Sequence, residues 1–189
     1  MYKLKHPHNF TRHGNFGEMV VDVDLEGTGH IKRISMRRVT DLDAPMHHGI
    51  DGVYENYTPP PKYLIVESKY LSSEAAKSET FAPKMTYNKS SDITQLNNEW
   101  IRKNLSDQFK DADGFISSEN RVKIDEILDA IDDNDDAICM RLGAKIDNSG
   151  NVTYYKYNFE GIVLKEEIVL DGKTKKHPVI WDKGKENIR

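Results

Sequence analysis

Two apolar, β-prone segments flanking a proline triplet place the tightest constraint on this chain. The first is Gly49-Ile50-Asp51-Gly52-Val53-Tyr54-Glu55 and the second is Tyr63-Leu64-Ile65-Val66-Glu67-Ser68-Lys69-Tyr70, with a turn at Pro59-Pro60-Pro61 between them. Side chains two apart on a strand share a face. Glu67 and Lys69 therefore project together, while Val66 and Ser68 face the other way. Pairing of the segments as a hairpin brings Asp51 alongside Glu67. Two carboxylates with a lysine beside them can hold a divalent cation and serve phosphodiester hydrolysis. The backbone carbonyl of Ser68 is a candidate third oxygen ligand, and Lys69 can steady an attacking water or the charge of a pentacovalent centre. The plainer reading of the same spacing is a solvent-facing Glu67–Lys69 pair on an edge strand.

Other carboxylates and amides give the hairpin its context. The apolar residues Phe16, Met19, Val20 and Val23 recur at helical spacing and predict a helix over 14–25, ended by Gly27 and Gly29. Asn15, with Glu18 three residues on, resembles an N-terminal capping arrangement. Glu18 on that helix, packed on the hairpin, offers a third carboxylate for a second metal position. The alternative is an exposed glutamate favoured by the helix dipole. A helix over 94–105 places Leu96, Trp100, Ile101 and Leu105 on one face, and Gln95 at its start either touches substrate or caps the helix. A third helix, over 117–131, turns Val122, Ile124, Ile127, Leu128 and Ile131 inward.

The remaining segments set the class. Residues 1–13 read as a flexible arm, 31–39 fits strand or helix, and the polar tract 72–91 reads as a loop. Segments 137–146 and 151–159 form a second hairpin, and 162–170 a further strand. The order helix, strands, helices, strands predicts an α+β fold with a mixed central β-sheet flanked by helices. A single domain over 14–189 follows, with a core at 14–110 and a β-rich extension over 111–189.

Charge and cysteine usage bound the function. The 189 residues carry a net charge of −4, yet seven of the acids fall within 125–136, a stretch free of Lys and Arg. The rest is mildly basic, with Lys32, Arg33, Arg37, Arg38, Lys62, Lys84, Lys89, Arg102 and Lys103 near the hairpin in sequence, as a phosphate-facing surface requires. Cys139 is alone, so no intramolecular disulfide forms, and its apolar neighbours mark it as a buried structural thiol. No apolar run is long enough to span a bilayer, and no signal segment opens the chain; export would need a signal elsewhere on a larger precursor. Two further features are weak. The segment 109–120 lacks the acid and the glutamate that a calcium loop needs at its first and twelfth positions. His47 and His48, adjacent on an extended chain, face opposite ways and read as surface histidines.

These residues together resemble a known group. Gly17-Glu18 on the opening helix, Gly-Ile-Asp-Gly-Val-Tyr, Tyr-Leu-Ile-Val-Glu-Ser-Lys-Tyr and Gln-Leu-x-x-Glu-Trp-Ile occur in that order, with a Gly-Asn-Val-Thr-Tyr-Tyr hairpin at 150–155. The set resembles the PD-(D/E)xK, or restriction-endonuclease-like, nucleases, and within them the C-terminal toxin domains of bacterial polymorphic and contact-dependent-inhibition systems. Ile50 replaces the proline common before the first acid. The resemblance covers residues 14–170. It implies catalytic Asp51, Glu67 and Lys69, supported by Glu18 and Gln95. It also implies a Mg²⁺ or Mn²⁺ ion on Asp51, Glu67 and the Ser68 carbonyl, with Glu18 as a further ligand. The substrate implied is DNA, with tRNA as the same-fold alternative and a catalytically silent binding module as the alternative of another class. Delivery from a secreted precursor into the target-cell cytoplasm, and a cognate immunity protein, complete the expectation. The acidic stretch 125–136 is then either part of an inhibitor surface or a solvated helix end.

Overall fold

The computed structural model describes residues 8–71, 86–88, 91–147 and 149–168. Helix α1 (His8–Glu26) leads into strand β1 (Ile31–Arg33), then β2 (Gly52–Asn56) and β3 (Tyr63–Tyr70). Two short strands, β4 (Thr86–Asn88) and β5 (Ser91–Thr94), form a separate ribbon. Helices α2 (Asn98–Leu105) and α3 (Ser118–Asp133) precede β6 (Cys139–Ile146), β7 (Val152–Tyr157) and β8 (Val163–Ile168). The main sheet has the order β1-β2-β3-β6-β7-β8, with β3 and β6 parallel and every other pair antiparallel. This is the expected α+β class with a mixed six-stranded sheet.

Strand β3 is central, and its sequence shows why. A strand covered on both faces reads as a continuous apolar run rather than an alternation, and Tyr63-Leu64-Ile65-Val66 is such a run. Leu64 and Val66 pack toward α1 with Phe16, Val20, Val21 and Leu25. Tyr63 and Ile65 pack toward α2 and α3 with Trp100, Ile101, Ile127 and Ile131. Cys139 is buried in the second layer, and burial pushes its thiol up to about 12. The parallel partner β6 returns after α2 and α3, the length of connection that a parallel pair needs.

Several boundaries differ from expectation. Helix α1 begins at His8, so residues 8–13 are helical; residues 1–7 lie outside the described residues. Asn15 does not cap it; its Nδ2 donates to the carbonyls of Leu42 and Ala44 at 2.9 and 2.8 Å, tying the loop 34–51 to the helix. Helix α2 starts at Asn98, because Asn97 is extended and its side chain accepts the Trp100 N–H. Part of the expected 72–91 loop forms β4, and 72–85 lies outside the described residues. Val23 and Val122, expected inward, are 43% and 65% exposed. The buried stripes run through Phe16, Val20, Val21 and Leu25 on α1, and through Ile124, Ile127 and Ile131 on α3. In each helix the expected set was wider than the face that the sheet covers.

The contrast on α3 is testable. Ile127→Ala removes a fully buried side chain and is expected to cost about 2–5 kcal/mol in urea unfolding, whereas Val122→Ala on the outer face changes stability by less than ~0.5 kcal/mol.

Candidate functional site

The site forms where the β2–β3 ladder stops. The pairing runs from Glu55↔Tyr63 to Gly52↔Val66. Beyond it, the Ser68 N–H finds its acceptor in a side chain: Asp51 Oδ2 accepts from Ser68 N at 2.7 Å and from Ser68 Oγ at 2.8 Å. Asp51 is thus fixed against β3 by two hydrogen bonds in place of one ladder bond. Ser68 enters the site through its N–H and hydroxyl, where the sequence had suggested its carbonyl.

On the other face of β3, Glu67 is 2% exposed. Its Oε1 accepts from Lys69 Nζ and from Gln95 Nε2, both at 2.5 Å. Its Oε2 is buried with no partner. The alternating pleat therefore does bring Glu67 and Lys69 together, and they are not an exposed edge pair. Gln95 joins them from the turn before α2, not from the helix itself. Burial, then the charge of Asp51, pushes Glu67 up to about 8. Burial pulls the Lys69 ammonium down, but Glu67 and Asp51 outweigh it, and its pKa lies above the ordinary lysine value.

Glu18 comes from α1 and is 7% exposed. Gly17, its neighbour, lets the helix approach closely: a Cβ there would sit 3.3 Å from Ser68 Oγ. Burial, then Asp51, pushes Glu18 up to about 9. Its Oε2 is also buried without a partner. Among the described residues, one set of three or more ligating side chains lies within ion-binding reach: Glu18, His47 and Asp51, with a ligand atom of each within 4.8 Å of the others. Glu67 stands outside that set.

His47 is the residue that the sequence reading missed. The expectation that adjacent histidines face opposite ways holds, since His48 is exposed. His47, however, is not a surface residue: its side chain is 3% exposed. Its Nε2 is buried with no partner, and its Nδ1 lies 3.7 Å from Glu18 Oε1. Burial, the largest influence, lowers its pKa against the pull of Asp51, which favours the neutral ligand form. Gly49, at φ +118°, lets the chain turn between His47 and Asp51.

A buried arginine braces this end of the sheet. Arg33 Nη1 donates to Asp22 Oδ1 at 2.8 Å, and Nη2 donates to the backbone carbonyls of Asp51, at 2.7 Å, and Arg37. Arg33 therefore holds Asp51 from behind and is not a phosphate contact. Other bases expected to face phosphate are also committed: Arg38 to Glu26, Lys62 to Glu126, and Arg102 to Asp132. Within the acidic stretch, Glu126 and Asp132 are thereby paired and Asp136 binds Lys156 at 2.7 Å, while Asp125, Asp129, Asp133 and Asp135 stay exposed. In the segment 109–120, Asp111 Oδ1 accepts the N–H groups of Asp113 and Phe115, which closes the turn on itself.

Comparison with known proteins finds no match for this chain: none among family models, curated proteins or solved structures. Within the set of Glu18, His47 and Asp51, Glu18 Oε2 and His47 Nε2 are buried atoms without partners, which a bound cation would satisfy. The residues fit a divalent ion.

The cation-free protein carries a pH signature. A glutamate whose pKa is raised by folding binds more protons folded than unfolded, so its contribution is lost as pH rises through the raised value. From about pH 7 to about pH 9, where His47 is neutral in either state, the Tm of the protein in EDTA is expected to fall. Glu18→Gln and Glu67→Gln together should flatten that fall in thermal melts.

Proposed function

We propose that the protein is a divalent-metal-dependent endonuclease that hydrolyses the phosphodiester bonds of DNA. The observation that carries this reading is the end of β3, where Asp51 is bound to Ser68 on one face, buried Glu67, held by Gln95, and half-exposed Lys69 lie together on the other, and the charge of Asp51 reaches both. The resemblance to PD-(D/E)xK nucleases is supported by the element order as well. An opening helix is followed by three antiparallel strands, a helical crossover and a strand parallel to β3.

Asp51 and Glu18, with Glu67 adjacent in the electrostatic sense, are the carboxylates that would hold the ion. A bound divalent ion would supply Lewis acidity to the phosphate and acidify water. The protein's own groups do the rest. Ser68 fixes the Asp51 carboxylate, Arg33 fixes its backbone, and Gln95 orients Glu67. Lys69, whose side chain is 30% exposed against 3% for Glu67, can turn its ammonium to an incoming phosphate oxygen or to the attacking water. Such a group acts by position and charge, the terms that dominate phosphoryl chemistry.

The wider reading is a toxin domain delivered from a larger secreted precursor into the cytoplasm of competing bacteria, with a cognate immunity protein restraining it in the producer. Among the described residues no helix is long and apolar enough to cross a membrane.

Incubation with plasmid DNA and with total tRNA, each with Mg²⁺, Mn²⁺ or EDTA, tests the activity. Cutting of DNA that EDTA stops is expected; cutting of tRNA alone would move the substrate to RNA. Asp51→Ala and Lys69→Ala should each lower the rate by at least ~100-fold with circular dichroism unchanged, and full activity in either removes the mechanism.

A further inference from the structure

We propose that Glu18, His47 and Asp51 form a mixed nitrogen–oxygen cation site that prefers a first-row transition ion to Mg²⁺. The use of that ion in catalysis rests on the nuclease reading; the site itself does not.

Two elements supply the donors: α1 gives Glu18, and the loop 34–51 gives His47 and, at its end, Asp51. Their ligand atoms lie within 4.8 Å of one another. The histidine and the glutamate are both more than nine-tenths buried, and each has one buried atom without a partner. Leaving such atoms buried and unpaired is unfavourable. Their own 3.7 Å approach runs between other atoms, His47 Nδ1 and Glu18 Oε1, and leaves His47 Nε2 and Glu18 Oε2 without partners. A cation shared by all three residues would satisfy them.

The imidazole decides which cation. Mg²⁺ prefers oxygen ligands and keeps its waters. Imidazole nitrogen suits the first-row transition ions, whose affinity for mixed N,O sites exceeds that of Mg²⁺. The loop is also held for this purpose from the helix side. Asn15, three residues before Glu18, donates to the carbonyls of Leu42 and Ala44, so one helix turn carries a ligand and tethers the loop that brings the next.

Calorimetric titration of the whole chain with Mn²⁺ and with Mg²⁺, together with pulsed EPR of the Mn²⁺ complex, tests the proposal. The expected result is ¹⁴N coupling in the EPR spectrum and Mn²⁺ bound at least ~10-fold more tightly than Mg²⁺. His47→Gln should abolish the nitrogen coupling and most of the preference, and His48→Ala, at the exposed neighbour, should leave both intact. Equal affinities with no nitrogen coupling in the unaltered protein would overturn the proposal while leaving a carboxylate-bound Mg²⁺ nuclease standing. Nitrogen-coupled Mn²⁺ in a protein that cuts neither DNA nor tRNA would uphold the site and sink the nuclease reading. Uptake of neither ion would overturn both. Should His47→Gln fail to fold, the EPR spectrum of the unaltered protein decides alone.

Discussion

The structure depends on a ladder that ends one residue early. Had β2 continued past Gly52, the Ser68 N–H would pair with backbone and the carboxylate of Asp51 would have no fixed seat. Instead, the side chain of Asp51 completes the hydrogen bonding of the central strand. A group that satisfies the sheet is thereby held beside Glu67 and Glu18, two carboxylates whose burial makes ionisation costly. Fold and site share one carboxylate, and the polarity of the junction follows from that sharing.

The junction is also crowded with like charge. Burial and the mutual repulsion of Asp51, Glu67 and Glu18 keep protons on glutamates that would lose them in water. Lys69 offsets part of that repulsion on one face, and Arg33 contributes on the other. A dication taken up there would displace those protons and relieve the repulsion among the three carboxylates.

How much of this was legible in the sequence depends on range. Glu67 and Lys69 could be paired from a period of two on one strand, and Asp51 from the hairpin turn; these are local relations. The buried run Tyr63-Leu64-Ile65-Val66 likewise announced a central strand. His47 was not legible, because the loop 34–51 has no periodicity and its inward turn depends on Gly49 and on a tether from Asn15, a residue that read as a helix cap. The partners of Glu126, Asp132 and Asp136 were not legible for the same reason: Lys62, Arg102 and Lys156 are brought to them only by folding. Val23 and Val122 fell on apolar spacings that nothing covers. A signal for His47 did exist in the glycine two residues on, which permits a reversal, but a glycine alone does not say which side chain it turns inward.

The lone thiol of Cys139 has a consequence of its own. Shut beneath the sheet and kept protonated, it can neither form a bridge nor be attacked with ease. The polypeptide needs no oxidant to reach its native form and no reductant to leave it. A journey from an oxidising exterior to a reducing interior would change none of its covalent bonds, so any unfolding and refolding on the way is a matter of packing alone.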